Sequence, residues 1–461
     1  MITRADIVER VAEWQLTEEV VEKDYVLGWV LWGIATDPTL GQQWVFKGGT
    51  CLKKCYIETY RFSEDLDFTV LPGGPLRPED VAPLLDRVLA RVGQESGIDF
   101  SVQQPNLRLR PGEMTAEGRV YYTGPRGMRQ PTRVKLDLAA DEVVIRPPVL
   151  RDIAHPYPDA LIAGRVRCYS FEELFAEKLR ALGQRARPRD LYDVVNLYRR
   201  NDLRLYPEVI RQALEEKCRV KNVPVPNAAQ FADEELRATL EADWANMLAH
   251  QLPALPPVQG FLDELPELFG WLEGTVAFAE LPAVPVRADE DAAWSPPPTV
   301  ATWGMGIPLE SLRFAATNHL LVELGYDGRT RLIEPYSLRM SQAGRLLLHA
   351  ERADGGHRTY GVDKIESLRV TTRPFRPQHP IEFSARGPLT APPQSRTALG
   401  PRPPRGQTRR RPYGQPEYVY ACNVCGREFG HSRRSSALRP HKDRYGYPCR
   451  GRSGRYVRTS Y

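Results

Sequence analysis

No run of about 18 or more consecutive apolar residues occurs in this chain of 461, which excludes a membrane-spanning helix. Met1 to Trp14 has the spacing of an amphipathic helix and lacks the apolar stretch of a secretory signal, so a cytoplasmic protein is expected. Cysteine is scarce, 7 residues in all. An odd and sparse set argues against a disulfide framework. Cys422, Cys425 and Cys449 crowd near the C-terminus, which favours metal binding there. Cys51, Cys55, Cys168 and Cys218 carry no ligand spacing and read as small buried hydrophobes. No internal repeat is visible, which excludes a solenoid.

Charge is present but unevenly placed. Pro401 to Tyr461 holds 15 Lys/Arg against 3 Asp/Glu, a net +12, within a chain whose formal net charge is +5. The remaining residues therefore carry −7. A mildly acidic body with a basic tail points to a polyanion partner for the tail; a solubilising tail is the alternative. The length calls for two to four domains. Residues 1–275 alternate helical and strand patterns. Residues 276–300 read as a Pro-rich linker, 301–385 as a domain of short strands, 386–416 as a Pro/Arg-rich extended linker, and 417–461 as the cysteine-bearing module. The fold class expected is α+β and multidomain.

The chemistry concentrates in two stretches. In the first, Trp44 to Phe46 reads as a strand and Gly48-Gly49 as a turn that lets backbone approach a ligand. Thr50 to Tyr56 then opens a helix, whose amide groups suit phosphate oxygens. In the second, Arg61-Phe62-Ser63-Glu64 leads into Asp65-Leu66-Asp67 at the head of an apolar run. On a strand, residues i and i+2 share a face, so both carboxylates project together and call for a cation. Magnesium, or manganese, takes such oxygen ligands and bridges them to substrate phosphates. A third carboxylate comes from Arg133 to Leu138, where Val134, Leu136 and Leu138 form one face and Arg133, Lys135 and Asp137 the other. Three carboxylates can hold two metals.

Further along, Ser170 and Glu173 read as a capping box before a helix with an apolar stripe of Phe171, Leu174, Phe175 and Leu182. Lys178 falls on that stripe, where its ammonium either snorkels to water or reaches into the site. Asp190 reads as the N-cap of a helix over Leu191 to Tyr198, with Asp193 one turn on. Arg185, Arg187 and Arg189 precede it, as phosphate contacts or as a solvated loop.

These motifs together resemble the nucleotidyltransferase superfamily with the DNA polymerase β-like fold, and within it the AbiEii-type toxins of abortive-infection and toxin–antitoxin systems. Three segments carry the resemblance: Val21 to Leu27, Phe46 to Thr50 with Arg61 to Phe68, and Ser170 to Leu182 with Arg187 to Val194. It covers residues 1–275, with a helical continuation after the catalytic sheet. It implies transfer of a nucleoside monophosphate from an NTP to RNA, tRNA above all, or to a protein, with an antitoxin as a further partner. Asp65, Asp67 and Asp137 would hold metal, and Gly48, Gly49, Thr50, Ser63 and Lys178 the nucleotide. Lys178 and Asp193 would join the three acids as catalytic residues.

Leu312 to Phe375 resembles the WYL domain, a small Sm-like β-barrel of bacterial regulators, with Leu346-Leu347-Leu348 at the namesake triplet. Tyr336, His349, Arg358 and Arg369 are the ligand candidates that this resemblance implies. Near the C-terminus, Cys422-x-x-Cys425-Gly426 reads as a zinc knuckle with His441 and Cys449 completing a structural zinc site and His431 competing for His441. Arg427, Arg433, Arg434, Arg439, Arg444, Arg450, Arg452 and Arg455 around it, with Tyr445 and Tyr447 between them, suit nucleic-acid contact. Two other functions stand beside the toxin reading. One is a nucleic-acid-binding regulator that keeps the fold as an inactive scaffold, and the other a small-molecule nucleotidyltransferase.

Overall fold

The computed structural model describes residues 1–57, 61–157, 159, 164–200, 206–278, 280–291, 309–383, 417–431, 435–439, 441–442 and 448–460. The chain divides into a unit from Met1 to Pro392 and a unit from Pro393 to Tyr461. Arg433, Arg434, Arg444, Tyr445 and Tyr447, the second half of the 276–300 linker and the whole 386–416 segment lie outside the described residues.

In the first unit, helix α1 (Arg4–Trp14) starts on a capping box between Thr3 and Asp6. From Tyr25 to Ile34, helix α2 (Glu18–Ala35) is apolar and buried on every side, as a helix enclosed in a core requires. After the short α3 (Leu40–Gln43) come β1 (Trp44–Lys47), α4 (Gly48–Cys51) with a π-helical turn (Leu52–Tyr56), β2 (Asp65–Val70) and α5 (Pro78–Ser96). Strands β3 (Asn106–Leu109), β4 (Thr115–Tyr122), β5 (Thr132–Ala139), β6 (Val149–Asp152) and β7 (Arg165–Cys168) follow. They form one mixed sheet in the order β3-β4-β5-β2-β1-β7-β6. Strand β2 is central, antiparallel to β1 and parallel to β5. The helical continuation is α6 (Phe171–Arg185), α7 (Pro188–Tyr198), α8 (Pro207–Lys221), α9 (Glu234–Leu248) and α10 (Val258–Glu273). Among the described residues, no helix is long and apolar enough to cross a membrane.

Helix α11 (Leu309–Thr317) opens a second sheet: β8 (Leu320–Tyr326), β9 (Arg329–Met340), β10 (Leu346–Arg352), β11 (His357–Gly361) and β12 (Ile365–Pro374), ordered β11-β10-β9-β8-β12. Every pairing in it is antiparallel. α11 meets α1, where the Ser311 hydroxyl donates to the Glu13 carbonyl at 3.1 Å. The C-terminal unit has β13 (Glu417–Cys422) between β14 (Glu428–His431) and β17 (Gly454–Ser460), with a small ladder of β15 (His441–Lys442) and β16 (Pro448–Cys449).

Three local expectations are corrected. The helix after Gly48-Gly49 begins at Gly48 itself, not at Thr50, and widens to π geometry from Leu52. Ser170 does cap α6, but the Glu173 carboxylate turns away to accept from the amides of Ile145 and Arg146, each at 2.9 Å. Lys217, 3.0 Å from that carboxylate, also draws it off. Asp190 is not an N-cap. Pro188 takes the first helical position, where its missing N–H is no loss, so Arg187 is the N-cap and Asp190 lies within the first turn. There it receives a two-point bridge from Arg185 at 2.6 and 2.9 Å.

Helix α2 reaches the site through buried charge. Asp24 and Lys54 pair at 2.7 Å with almost no exposure, and the Tyr157 hydroxyl donates to the same carboxylate oxygen of Asp24 at 2.9 Å. Lys23 bridges Glu64 at 2.7 Å, next to Asp65. Removing one member of a buried pair leaves the other charge uncompensated, which costs about 3–5 kcal/mol. Asp24→Asn is expected to lose roughly that much in urea unfolding. A loss below about 1 kcal/mol would show that the Asp24–Lys54 pair does not hold α2 to the turn.

Candidate active site

Strand register builds the site. Lys47 on β1 stands opposite Asp67 on β2, Asp67 opposite Asp137 on β5, and Asp137 opposite Glu117 on β4. One row across the sheet therefore reads Lys47, Asp67, Asp137, Glu117. The next row holds Asp65 beside Lys135. Leu66, Phe68, Leu136 and Leu138 point to the opposite face and are buried. Alternation thus sends the three predicted acids to a common face, as the sequence patterns required.

Burial pushes the Asp67 carboxyl up to about 6, against the pull of Lys47 and with the help of Asp65 and Asp137. Asp65 is raised as well, chiefly by burial and then by the nearby Asp137 and Glu64. Asp137 receives Arg110 at 2.8 Å and Lys135 at 2.5 Å. Among the described residues the three carboxylates are not gathered within one 4.8 Å group; Asp65 and Asp67 share a face of β2, and Asp137 is drawn towards its two cations. Donor type and electrostatics fit divalent cations: crowded carboxylates resisting ionisation are stabilised when a cation joins them.

Gly48 and Gly49 close over this row. Gly48 has φ +79°, and a Cβ there would lie 2.2 Å from an Asp67 carboxylate oxygen. A Cβ on Gly49 would meet the Arg61 guanidinium at 2.8 Å and the Ser63 hydroxyl at 3.2 Å. The glycines, Ser63 and Asp67 are thus close neighbours. The Thr50 hydroxyl donates to the Asp65 carbonyl at 2.5 Å, tying the helix start to the first acid.

Lys178 and Asp193 meet beneath the glycines. Lys178 does not snorkel to water; its ammonium turns inward to Asp193 at 2.7 Å. Arg61 grips the same carboxylate at 2.6 and 2.8 Å and reaches the Gln251 amide oxygen at 3.0 Å. Burial alone would raise Asp193, but Arg61 and Lys178 outweigh it and hold the carboxyl far below its ordinary range. Arg189, half-buried, faces the field of Glu64 and Asp65, whereas Arg187 is exposed.

Several neighbours carried no sequence signal. Lys47 is buried and bridged to Glu142 and Glu177, with Glu177 at 3.0 Å. Lys47 and Lys217 hold Glu177 down to about 2 against the effect of burial. Cys51, Cys55 and Cys168 are buried as expected, yet their sulfurs come together within 4.8 Å because Cys168 lies beside Phe46 on the neighbouring strand.

Residues 29–271 match the family of nucleotidyl transferase AbiEii toxins of the type IV toxin–antitoxin system. The chain belongs to the AbiEii family. It is accordingly a toxin-type nucleotidyltransferase, and the matched span contains the Gly-Gly turn, all three acids, Lys178 and Asp193. Among solved structures, the chain is similar to the nucleotidyltransferase toxin MenT4 from Mycobacterium tuberculosis, with 18% identity over 59% of this chain and 90% of that one and a TM-score of 0.38. No curated protein matches it.

Elsewhere, the structure gathers the four expected ligands of the C-terminal module. The Cys422 and Cys449 sulfurs lie 3.7 Å apart, Cys425 Sγ is 3.5 Å from His441 Nε2, and all four ligand atoms fall within 4.8 Å of one another. The amide of Cys425, then that of Val424, holds the Cys422 thiol down to about 6. His431 lies on β14 against Tyr420, outside that group. The expected ligand set of the second sheet does not assemble. Tyr336 and His349 are fully buried, Arg369 is paired with Glu323, and Arg358 points to the face opposite His349.

Three outcomes follow for the AbiEii site. Asp67 must be ionised to bind a cation, so activity should rise with pH through about 6. Its raised pKa has the opposite effect on metal-free stability, which is fully present below the ordinary carboxylate pKa and lost as pH rises through about 6. Denaturant titrations with and without magnesium check the sign; a metal-free stability that increases across that range would contradict it. Gly48→Ala should cost about 1–3 kcal/mol in stability from its backbone conformation and abolish turnover by displacing Asp67.

Proposed function

We propose that this AbiEii-family enzyme transfers a nucleoside monophosphate from an NTP to RNA, with tRNA the leading acceptor. The observation that carries the reading is the carboxylate row under the Gly48-Gly49 turn, with Asp65 and Asp67 paired beside Asp137. Asp65, Asp67 and Asp137 would hold magnesium or manganese, which when bound would supply charge neutralisation for the triphosphate and Lewis acidity for the reacting oxygens. The amides of Gly48, Gly49 and Thr50 face the phosphates, Ser63 contacts one of them, and Lys178 supplies positive charge from its anchor on Asp193. An acceptor hydroxyl oxygen bonds to the α-phosphorus as the bond to the bridging oxygen breaks. Its proton passes to Asp137, and pyrophosphate leaves.

The basic tail supports a nucleic-acid acceptor, since Pro401 to Tyr461 carries +12. Cys422, Cys425, His441 and Cys449 hold a structural zinc that organises this module. The β11-β10-β9-β8-β12 order supports a WYL-like reading of the five-stranded domain, and the packing of α11 on α1 supports a role in gating the enzyme. The type IV family supports an antitoxin as the partner that restrains activity.

Label transfer tests the reading. Each α-labelled NTP is incubated in turn with magnesium, the full chain and a mixture of total RNA and cell protein. Label should appear on small RNA and fall more than about 100-fold with Asp65→Ala/Asp67→Ala. Label on protein bands alone would overturn the RNA acceptor. Tight RNA binding with no label from any NTP would point to a scaffold without chemistry.

A further inference from the structure

The second sheet contains a cluster that the catalytic reading does not use. On the β10–β11 hairpin, Glu351 stands directly opposite His357, and His349 lies two residues back on the same face. His379, from the segment after β12, joins them. The Glu351 oxygen and one nitrogen each of His357 and His379 all lie within 4.8 Å of one another.

Counting protons shows why this arrangement is unusual. His379 Nδ1 is 2.8 Å from the Pro282 carbonyl, which can only accept, so Nδ1 carries the hydrogen. The neutral ring therefore turns a lone pair on Nε2 towards Glu351 Oε1, 3.5 Å away. His349 Nε2 lies 2.6 Å from Glu290, whose carboxylate also accepts only. With the His349 proton placed on Nε2 against Glu290, Nδ1 is a lone pair that accepts from His357 Nε2, 3.1 Å away. That leaves His357 Nδ1 as a second lone pair, 3.1 Å from the same oxygen of Glu351. Two imidazole lone pairs and a carboxylate oxygen thus converge with no proton among them. Glu334, opposite Glu351 on β9, adds further negative charge.

A divalent cation resolves such a convergence, as do protons taken up by the rings or by Glu351. Protons would have to crowd around one nearly buried carboxylate. A cation here matches the coordination habits of zinc, with two histidines, one carboxylate and a fourth position open. It also explains the outer contacts. Ligating histidines donate their remaining N–H to a carbonyl or carboxylate, and here His379 faces the Pro282 carbonyl and His357 reaches Glu290 through His349.

We propose that Glu351, His357 and His379 form a second site for a divalent transition metal, zinc by its donor chemistry. Its outer contacts come from Pro282 and Glu290, so the ion fixes the stretch leading out of the catalytic domain against the β-sheet domain. Arg339 reinforces that seam, bridging Glu290 at 3.2 Å and Glu382 at 2.8 Å.

The test uses the full chain, stripped of metal and titrated with cobalt(II), with zinc content measured by mass spectrometry in parallel. Among the described residues thiols cluster both in the cysteine-bearing module and at Cys51, Cys55 and Cys168, so every variant is also made in a Cys51→Ser/Cys168→Ser background, where only the module can give a thiolate-to-cobalt charge-transfer band. His357→Gln/His379→Gln and, separately, Glu351→Gln should each bind one metal equivalent fewer than the parent while keeping the charge-transfer band. Conversely, Cys422→Ser/Cys449→Ser should lose that band and retain a cobalt spectrum typical of nitrogen and oxygen ligands. Zinc should also raise the melting temperature of that cysteine variant. The proposal is overturned if the cysteine variant binds no metal, or if the histidine and glutamate variants keep the parent's full metal content. Protons on the rings or on Glu351 would then account for the cluster.

Discussion

Everything at the catalytic end depends on holding like charges together on one sheet face. Asp65 and Asp67 share that face because strand periodicity allows nothing else, and register sets Asp137 beside them. Burial first, and then crowding, raises the energy of the ionised state, as the Asp67 carboxyl at about 6 records. Such a row persists only because the fold surrounds it with fixed cations. Lys47 continues the row on one side, and Arg110 and Lys135 neutralise Asp137 on the other. A site of this kind resists ionisation until a cation joins it.

A second set of buried charges fixes the backbone over that row. Arg61, Lys178 and Asp193 form one cluster, and Arg61 also presses against Gly49. Asp24 and Lys54 anchor the π-helical turn to α2, and Lys23 reaches Glu64 just ahead of β2. Buried ion pairs add little net stability, because desolvation offsets attraction, but they penalise every arrangement that separates the partners. Here they limit the conformations open to the glycine turn. Lys178 is thereby positioned on a rigid anchor, close enough to Asp67 to affect its ionisation.

What could be read from sequence was whatever depends on local periodicity. The i, i+2 acids, the alternation around Asp137 and the four-ligand cysteine–histidine spacing need only strand and turn geometry. Contacts set by tertiary approach were not legible. Lys47 looks like an ordinary strand residue until Glu142 and Glu177 close on it from distant segments. Asp190 resembles an N-cap, but Pro188 claims the helix start two residues earlier. Glu173 has the spacing of a capping box, yet the Ile145 and Arg146 amides compete successfully for it. The His357–His379 cluster was hidden for a related reason: its members come from a hairpin, a later segment and a linker that only the folded β-sheet domain brings together.

Manganese bound with a non-hydrolysable NTP analogue, followed by electron paramagnetic resonance, tests the carboxylate row directly. Nucleotide should create a tightly bound manganese signal that magnesium displaces and that Asp67→Asn removes. A nucleotide-dependent signal of equal strength in Asp67→Asn would contradict the assignment of the metal to this row.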